Sequence, residues 1–191
     1  MRVIGGEARG RPLRAPSTTT VRPTSDRVRE AIFDVLGALD EVDGATVLDC
    51  FAGTGALGIE ALSRGAAAVT FVDSDREAVA AVEANLARVG MAGRRGVRVV
   101  RAEALGFLAG SRVRYDLALL DPPYRFAQWD ELLGRLHAGV AVLESSAPVC
   151  VPGNFAVLRV YRHGGTLVTV VTEVASPGPA EPAGEGPDEE P

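Results

Sequence analysis

The chain has 191 residues, of which 47% are apolar and only 5% aromatic, so it can bury one sizeable core built mainly from Ala, Val and Leu. No apolar run approaches the roughly 20 residues that a membrane span needs, and no apolar segment follows Met1 to serve as a secretory signal. The two cysteines, Cys50 and Cys150, lie far apart in apolar surroundings, and we expect both to be buried thiols. These features exclude membrane-spanning and disulfide-rich secreted proteins and predict a cytoplasmic one.

The formal net charge of −5 conceals an uneven distribution of charge along the chain. Residues 173–191 contain six acidic and no basic side chains, and the rest of the chain is close to neutral. The first thirty residues carry three acids and a cluster of seven arginines, which are Arg2, Arg9, Arg11, Arg14, Arg22, Arg27 and Arg29. Such a cluster is typical of a surface that binds RNA phosphates, although for any single arginine a solvated position is an equal alternative. We predict one domain over 1–174, with a basic arm over 1–23, and a disordered acidic tail rich in Pro and Gly over 175–191.

The predicted elements begin with a small β-hairpin formed by residues 2–5 and 11–14, followed by an amphipathic helix over about 26–39. From residue 45 onward strands and helices alternate. Strands are predicted at 45–50, 69–73, 97–101, 116–121 and 140–144. Four helices are predicted between them: one at about 56–64, one that follows a capping box at 74–77, one at about 103–110 and one at about 128–137. Two further β-rich runs, 156–161 and 166–171, are joined by a hairpin turn. The pattern predicts an α/β fold with a mostly parallel sheet, helices on both faces and an antiparallel C-terminal edge.

A glycine loop follows the first of the alternating strands. Residues 53–58 (GTGALG) match G-x-G-x-x-G between a strand and a helix, where glycines allow a tight turn and the close approach of a ligand to the backbone. Asp73 ends the next strand, where a carboxylate can accept both hydroxyl groups of a ribose. The pattern favours an adenosine-containing cofactor over a turn used only for packing, but it does not by itself separate NAD from S-adenosylmethionine.

Two acidic residues favour S-adenosylmethionine. Asp49 places a negative charge before the loop, which suits a sulfonium and an amino-acid moiety better than a pyrophosphate. Glu103, just past the third strand, can accept a hydrogen bond from an adenine amine. The predicted cofactor-binding residues are Asp49, Phe51, Ala52, Gly53, Gly55, Asp73, Ser74, Glu103 and Ala104.

Residues 121–124 (DPPY) follow the fourth strand and indicate the chemistry of the acceptor. Two prolines fix the backbone and cannot donate hydrogen bonds, and the tyrosine ring can stack on a base. The exocyclic amine of a base is a poor nucleophile, and acceptors at Asp121 and the Pro122 carbonyl would bind its hydrogens and make the nitrogen more nucleophilic. We predict that Asp121, Pro122, Pro123 and Tyr124 are catalytic in a methyl transfer that needs no metal. The alternative is a structural turn with Tyr124 packed on the core, and Phe126 and Trp129 either flank the base or pack against the next helix.

With both motifs placed, the chain resembles the bacterial RsmD family of 16S rRNA (guanine-N2)-methyltransferases over about residues 2–172. The segments that carry the resemblance are 2–6 (RVIGG), 9–11 (RGR), 22–30 (RPTSDRVRE), 48–65 (LDCFAGTGALGIEALSRG) and 121–124. The resemblance implies a class I S-adenosylmethionine-dependent methyltransferase (Rossmann-like) fold, S-adenosylmethionine as methyl donor and guanine N2 in small-subunit rRNA as target. The chain departs from the family in a shortened segment after residue 145, in the turn over 161–166 and in the acidic tail.

Three other functions are weighed against this one. An amine methyltransferase acting on DNA adenine or protein glutamine would use a similar Pro-Pro-Tyr turn. An NAD-binding oxidoreductase would use the glycine loop but give residues 121–124 no role. A non-catalytic RNA-binding protein is disfavoured by the intact Asp49, Asp73 and Asp121. We expect a monomer that acts on 16S rRNA, within a small-subunit particle, on a base that is unpaired or flipped.

Overall fold

A computed structural model describes residues 1–15 and 26–174, so Arg22 and the predicted tail lie outside the described residues. Seven strands lie in this part of the chain, and they are β1 (Thr46–Cys50), β2 (Ala68–Asp73), β3 (Val97–Arg101), β4 (Tyr115–Leu120), β5 (Ala138–Ser145), β6 (Phe155–His163) and β7 (Thr166–Glu173). The helices of the same ranges are α1 (Asp26–Ala38), α2 (Ala56–Ser63), α3 (Arg76–Arg88), α4 (Ala104–Gly110) and α5 (Trp129–Arg135). The predicted alternation of strands and helices is confirmed, with boundaries that differ by a few residues.

The strands form one sheet in the order β3-β2-β1-β4-β5-β7-β6. Strands β1 to β5 are parallel, and β7 pairs antiparallel with both β5 and β6. The mostly parallel sheet and the antiparallel C-terminal edge are therefore confirmed. The strand order reverses between β1 and β4, and in open α/β sheets ligands bind outside the carboxyl ends of the strands at such a reversal.

Buried apolar clusters cover the two faces of the sheet. One packs α1, α2, α3 and the N-terminal arm against the sheet, and the other packs α4 and α5 against the opposite face. Side chains alternate between these clusters along each strand, as in β4, where Leu119 belongs to the first cluster and Leu120 to the second. No helix within the described ranges is long and apolar enough to cross a membrane.

The two cysteines differ in their exposure. Cys50 is buried at the end of β1, whereas Cys150 is exposed in the segment that connects β5 to β6. The prediction of two buried thiols is therefore wrong for Cys150. The physical reason is local: its neighbours Val149 and Val151 turn inward and pack against the second core cluster, which leaves the intervening side chain outside.

The N-terminal arm forms a minimal hairpin. It contains a single antiparallel bridge, between Arg2 and Pro12, supported by a hydrogen bond of 3.0 Å from the Val3 amide to the Arg11 carbonyl. The predicted hairpin is confirmed but is shorter than expected. Its ladder stops because the amides of the next two residues donate to a side chain of α2 instead of to a partner strand.

Candidate active site

The glycine loop joins β1 to α2 through a left-handed stretch of backbone. Gly53 and Gly55 have φ values of 55° and 75°, which glycine adopts without strain. Phe51 has a φ of 66°, a value that a bulky side chain rarely takes. The third glycine of the motif, Gly58, has a different role: a Cβ at this position would collide with the ring of Phe71 in β2. The motif therefore combines a tight turn with a close approach of α2 to the sheet.

Asp49 is buried beneath this loop, with 1% of its surface exposed. Its Oδ2 atom accepts a hydrogen bond of 2.8 Å from the Gly58 amide. Burial raises the pKa of Asp49 to about 8 against the opposing effect of that hydrogen bond, and the negative charges of Asp121 and Asp73 add to the rise. A cation held beside the loop would favour the charged form of this carboxyl group.

The other predicted cofactor residues follow β2 and β3 at the same edge of the sheet. Asp73 is half-buried, and its two carboxylate oxygens accept hydrogen bonds from the amides of Gly53 and Asp75 at 2.8 and 2.9 Å. A carboxylate keeps further lone pairs for hydroxyl groups after such contacts. Glu103 is exposed, directly precedes α4 and makes no side-chain capping hydrogen bond, so its carboxylate is available at the surface.

The Asp-Pro-Pro-Tyr turn begins beside the glycine loop. The last residue of β4, Leu120, pairs with Cys50 of β1 on one side and with Leu143 of β5 on the other. The Pro123 carbonyl accepts a hydrogen bond of 2.8 Å from the amide three residues later, which closes the turn. Tyr124 is 57% exposed, so the alternative in which its ring packs on the core does not hold.

Aromatic rings connect the loop to the turn. The ring of Phe126 contacts Phe51 and Trp129 edge to face, with centroid distances of 5.3 and 5.4 Å. Phe126 and Trp129 also line a cavity of about 240 Å³, together with residues 122–125 and 144–148. The two rings thus pack against neighbouring elements and border the space beside the turn, so both of the predicted roles are compatible with their positions.

Glu144 is a site residue that the sequence did not predict. It lies near the end of β5, is only 4% exposed and lines the same cavity as the turn. No sequence motif surrounds it, and a single acid at the end of an apolar strand is common in many folds. The sequence alone therefore does not mark Glu144 as a functional residue. The signal that could have found it is its position, since β5 is the next strand beside β4 and the carboxyl ends of parallel strands meet at one edge.

Arg29 corrects one of the predicted RNA contacts. Its side chain on α1 is 0% exposed, and its Nη2 donates to the Arg2 carbonyl at 2.7 Å and to Asp26 Oδ1 at 2.8 Å. Burial lowers the pKa of Arg29, and the negative charges of Asp26, Glu60 and Glu144 oppose this change. A buried guanidinium cannot belong to a surface that binds phosphates, so the predicted role of Arg29 in RNA binding is wrong.

The remaining described arginines of the cluster are all exposed, and they are Arg2, Arg9, Arg11, Arg14 and Arg27. The arm that carries most of them lies along α2 and α3. Asn85 of α3 is buried and accepts from the Arg14 amide at 2.9 Å, while its amide group donates to the carbonyls of Arg14 and Thr54, both at 2.9 Å. The arm is thereby connected directly to the glycine loop.

Glu60 of α2 holds the other strand of the arm. Its carboxylate is buried and accepts hydrogen bonds of 2.7 Å from the amides of both Ile4 and Gly5, and one of 2.8 Å from Arg64 Nε. Ser63, one turn further along the same helix, accepts from the Ala8 amide at 2.9 Å. The sequence of α2 does indicate such a contact. The helix is otherwise apolar and predicted to be buried, so Glu60 and Ser63 within it are expected to bind polar groups of a neighbouring segment.

Comparison with known proteins agrees with this arrangement. The model of the family described as conserved hypothetical protein 95 matches residues 1–170. Ribosomal RNA small subunit methyltransferase D of Escherichia coli (strain K12) is 43% identical over 137 residues, which are 72% of this chain and 67% of the relative. YlbH of Bacillus subtilis (strain 168), named as a candidate rRNA methyltransferase, is 42% identical over 181 residues, which are 89% of this chain and 97% of the relative.

A solved structure supports the class I methyltransferase fold. The Escherichia coli protein yhhF, named as a candidate methyltransferase, superposes with a TM-score of 0.80 at 35% identity, covering 92% of this chain and 99% of its own. The Rossmann-like class I fold implied by the sequence is therefore confirmed. Because one family model spans nearly all of the described residues, this chain belongs to the family described as conserved hypothetical protein 95, which is the RsmD family.

Proposed function

We propose that this chain transfers a methyl group from S-adenosylmethionine to the exocyclic N2 amine of a guanine in 16S rRNA. The observation that carries the proposal is the position of the glycine loop and the Asp-Pro-Pro-Tyr turn, which begin side by side at the carboxyl ends of β1 and β4. The names of the relatives support rRNA as the substrate, and the RsmD family supports guanine N2 as the target.

The residues around the glycine loop fit S-adenosylmethionine. Asp73 puts a carboxylate at the loop that would repel a pyrophosphate, and the buried Asp49, whose pKa is raised to about 8, would be ionised by the positive charge of a sulfonium beside it. We assign Asp73 to the ribose hydroxyls and Glu103 to the adenine amine, and we place the cofactor against the backbone of the remaining predicted residues, which are Phe51, Ala52, Gly53, Gly55, Ser74 and Ala104. When bound, S-adenosylmethionine supplies an electrophilic methyl group on its sulfonium.

The turn residues then act on the acceptor. Asp121 and the Pro122 carbonyl accept the two amine hydrogens of the guanine, while Pro123 holds the turn in place and Tyr124, whose ring is exposed, stacks on the base. Because these groups are fixed before the base arrives, they lower the barrier through positioning and electrostatics. Asp121 is the group that takes up the proton lost by the amine.

Tritiated methyl transfer tests this function. We expect the protein to label 16S rRNA with N2-methylguanosine, identified by nucleoside analysis after digestion. Parallel assays on naked 16S rRNA and 30S particles test our proposal that the substrate is the particle, and sedimentation tests our proposal that the chain acts as a monomer. Label in N6-methyladenosine or in protein would indicate the other amine targets, and binding of NAD without methyl transfer would indicate an oxidoreductase.

The exposed arginines of the arm and of the first turn of α1 are expected to act on RNA affinity and not on chemistry. Replacing Arg2, Arg14 and Arg27 together by Gln should raise the KM for rRNA while kcat changes little, because phosphate contacts position the substrate. The slope of log affinity against log salt should become shallower by roughly 0.7 to 0.9 for each arginine–phosphate interaction that the substitutions remove. Filter binding over a salt series measures both the affinity and this slope. Arg112→Gln, before β4 at the opposite edge of the sheet, is the control, and an equal effect of this control would contradict a role for the arm.

A further inference from the structure

Glu144 lies directly beside the catalytic turn. In the parallel pairing of β4 with β5, Leu119 is opposite Val142 and Leu120 is opposite Leu143. Continuing this register by one residue brings Asp121 beside Glu144, at the spacing of about 4.8 Å that separates neighbouring strands. Because side chains alternate along a strand, both acids point to the sheet face of Leu119 and Val142. Glu144 lines the acceptor cavity, and the extended register places Asp121, which precedes the cavity-lining Pro122, next to it.

A buried cation faces Glu144 on this side of the sheet. The negative charge of Glu144 acts on the guanidinium of Arg29, and it is one cause of the raised pKa of Tyr161, after burial. Within the described ranges, the Nε and Nη1 atoms of Arg29 are buried and have no hydrogen-bond partner. A nearby positive charge favours the ionised form of a carboxyl group. Burial and the neighbouring Asp121 oppose this effect of Arg29, and in its ionised form Glu144 can only accept hydrogen bonds and cannot donate one.

The bases differ at the atom that such an acceptor would meet. In guanine the carbon that bears the exocyclic amine is flanked by N3, which has a lone pair, and by N1 on the Watson–Crick edge, which carries a hydrogen. In adenine and cytosine the corresponding ring nitrogen, N1 or N3, has a lone pair in place of that hydrogen. A carboxylate beside the amine would bind the N–H of guanine and repel the lone pair of the other two bases, which is how a site rejects a wrong substrate.

We propose that Glu144 is the residue that selects guanine, by accepting the N1–H of the base while Asp121 and Pro122 hold its N2 amine. This proposal rests on the proposed function, since it requires a base amine in the cavity. It extends that function by giving the choice of base to a residue outside the Asp-Pro-Pro-Tyr turn and outside the glycine loop.

A base analogue separates amine transfer from recognition of N1. We would reconstitute 30S particles with 16S rRNA in which the methylated guanine is replaced by 2-aminopurine, which keeps the 2-amine but has a lone pair at N1. Wild-type protein should prefer guanine by roughly 10- to 150-fold in kcat/KM, the range of a hydrogen bond to a charged group. In Glu144→Gln this ratio should fall several-fold, because the glutamine amide can turn to donate to the N1 lone pair.

Two further variants complete the experiment. Glu83→Gln, on the exposed face of α3, should leave the ratio at its wild-type value. Glu144→Ala, which removes the acceptor without adding a donor, should also lower the preference for guanine, and it serves in place of the Gln variant if that protein does not fold. Thermal melting and S-adenosylhomocysteine binding confirm that each variant is folded.

The outcomes distinguish the two proposals. If Glu144→Gln slows transfer to guanine and to 2-aminopurine by the same factor, the residue has only a structural role and the inference is overturned. If the wild-type protein does not label guanine at all, the proposed function itself fails, before any variant has been compared. A selective loss of guanine preference in Glu144→Gln, with the preference kept in Glu83→Gln, supports the inference.

Discussion

Asp121→Asn should reduce the kcat for methyl transfer to rRNA by roughly 100- to 1000-fold, the usual effect of removing one preorganised group from a catalytic site. The substitution keeps the size of the side chain but replaces one carboxylate oxygen with an amide that donates hydrogens. That amide would face the hydrogens of the substrate amine and could not take up its proton. The side chain lies beyond the end of β4, so the sheet itself should be unaffected.

Single-turnover methyl transfer measures the loss of rate, and calorimetric binding of S-adenosylhomocysteine measures whether cofactor affinity is kept. Cofactor binding should stay within a few-fold of wild type, because the predicted cofactor contacts lie on the glycine loop and after β2 and β3. Asp130→Asn, an exposed residue in the first turn of α5 that does not line the acceptor cavity, provides a matched control with unchanged kcat. A near-normal rate in Asp121→Asn would show that the turn does not perform the role assigned to it.

Glu60→Ala should detach the N-terminal arm from α2 and lower the free energy of unfolding by about 3–5 kcal/mol, as expected when one partner of a buried ion pair is removed. The variant leaves the amides of Ile4 and Gly5 and the guanidinium of Arg64 without the acceptor that they share. Urea unfolding measures the loss of stability. Amide hydrogen exchange at Ile4 and Gly5 measures the release of the arm.

The chain contains a matched comparison for this variant. Glu131 and Arg135 of α5 form a pair with the same spacing along a helix and an N–O distance of 2.7 Å, but both side chains are exposed. Glu131→Ala should therefore change stability by less than about 1 kcal/mol. If the two variants had the same stability, or if exchange at Ile4 and Gly5 were unchanged in Glu60→Ala, the arm would be held by its apolar contacts alone.

The parts of the site that follow strand ends could be predicted from the sequence. Parallel strands joined by right-handed crossovers place all their carboxyl ends at one edge, so loops that are far apart in the chain meet there. This rule brings residues 53–58 next to residues 121–124 without any knowledge of side-chain contacts. The sequence resemblance added the identity of the substrate, which no pattern of strands and helices contains.

The parts that depend on packing could not be predicted in the same way. The charge of Arg29 predicts a surface position, although the residue occupies the same helical stripe as Ile32, Phe33 and Leu36, all of which are buried. The helical period therefore predicts a buried position for Arg29, whereas the charge of its side chain predicts an exposed one. Glu60 and Asn85 are buried for a similar reason, since each satisfies backbone groups of an arm whose docking position depends on the folded structure.

The left-handed backbone conformation of Phe51 lowers stability, while the side chain that requires this strain contributes to the site. A non-glycine residue in this conformation costs about 1–3 kcal/mol, and glycine would avoid most of that cost. Glycine would also remove the ring that contacts Phe126 and connects the glycine loop to the Asp-Pro-Pro-Tyr turn. Substitution by glycine at this position would therefore raise thermal stability, and selection for the contact between the two loops would oppose it.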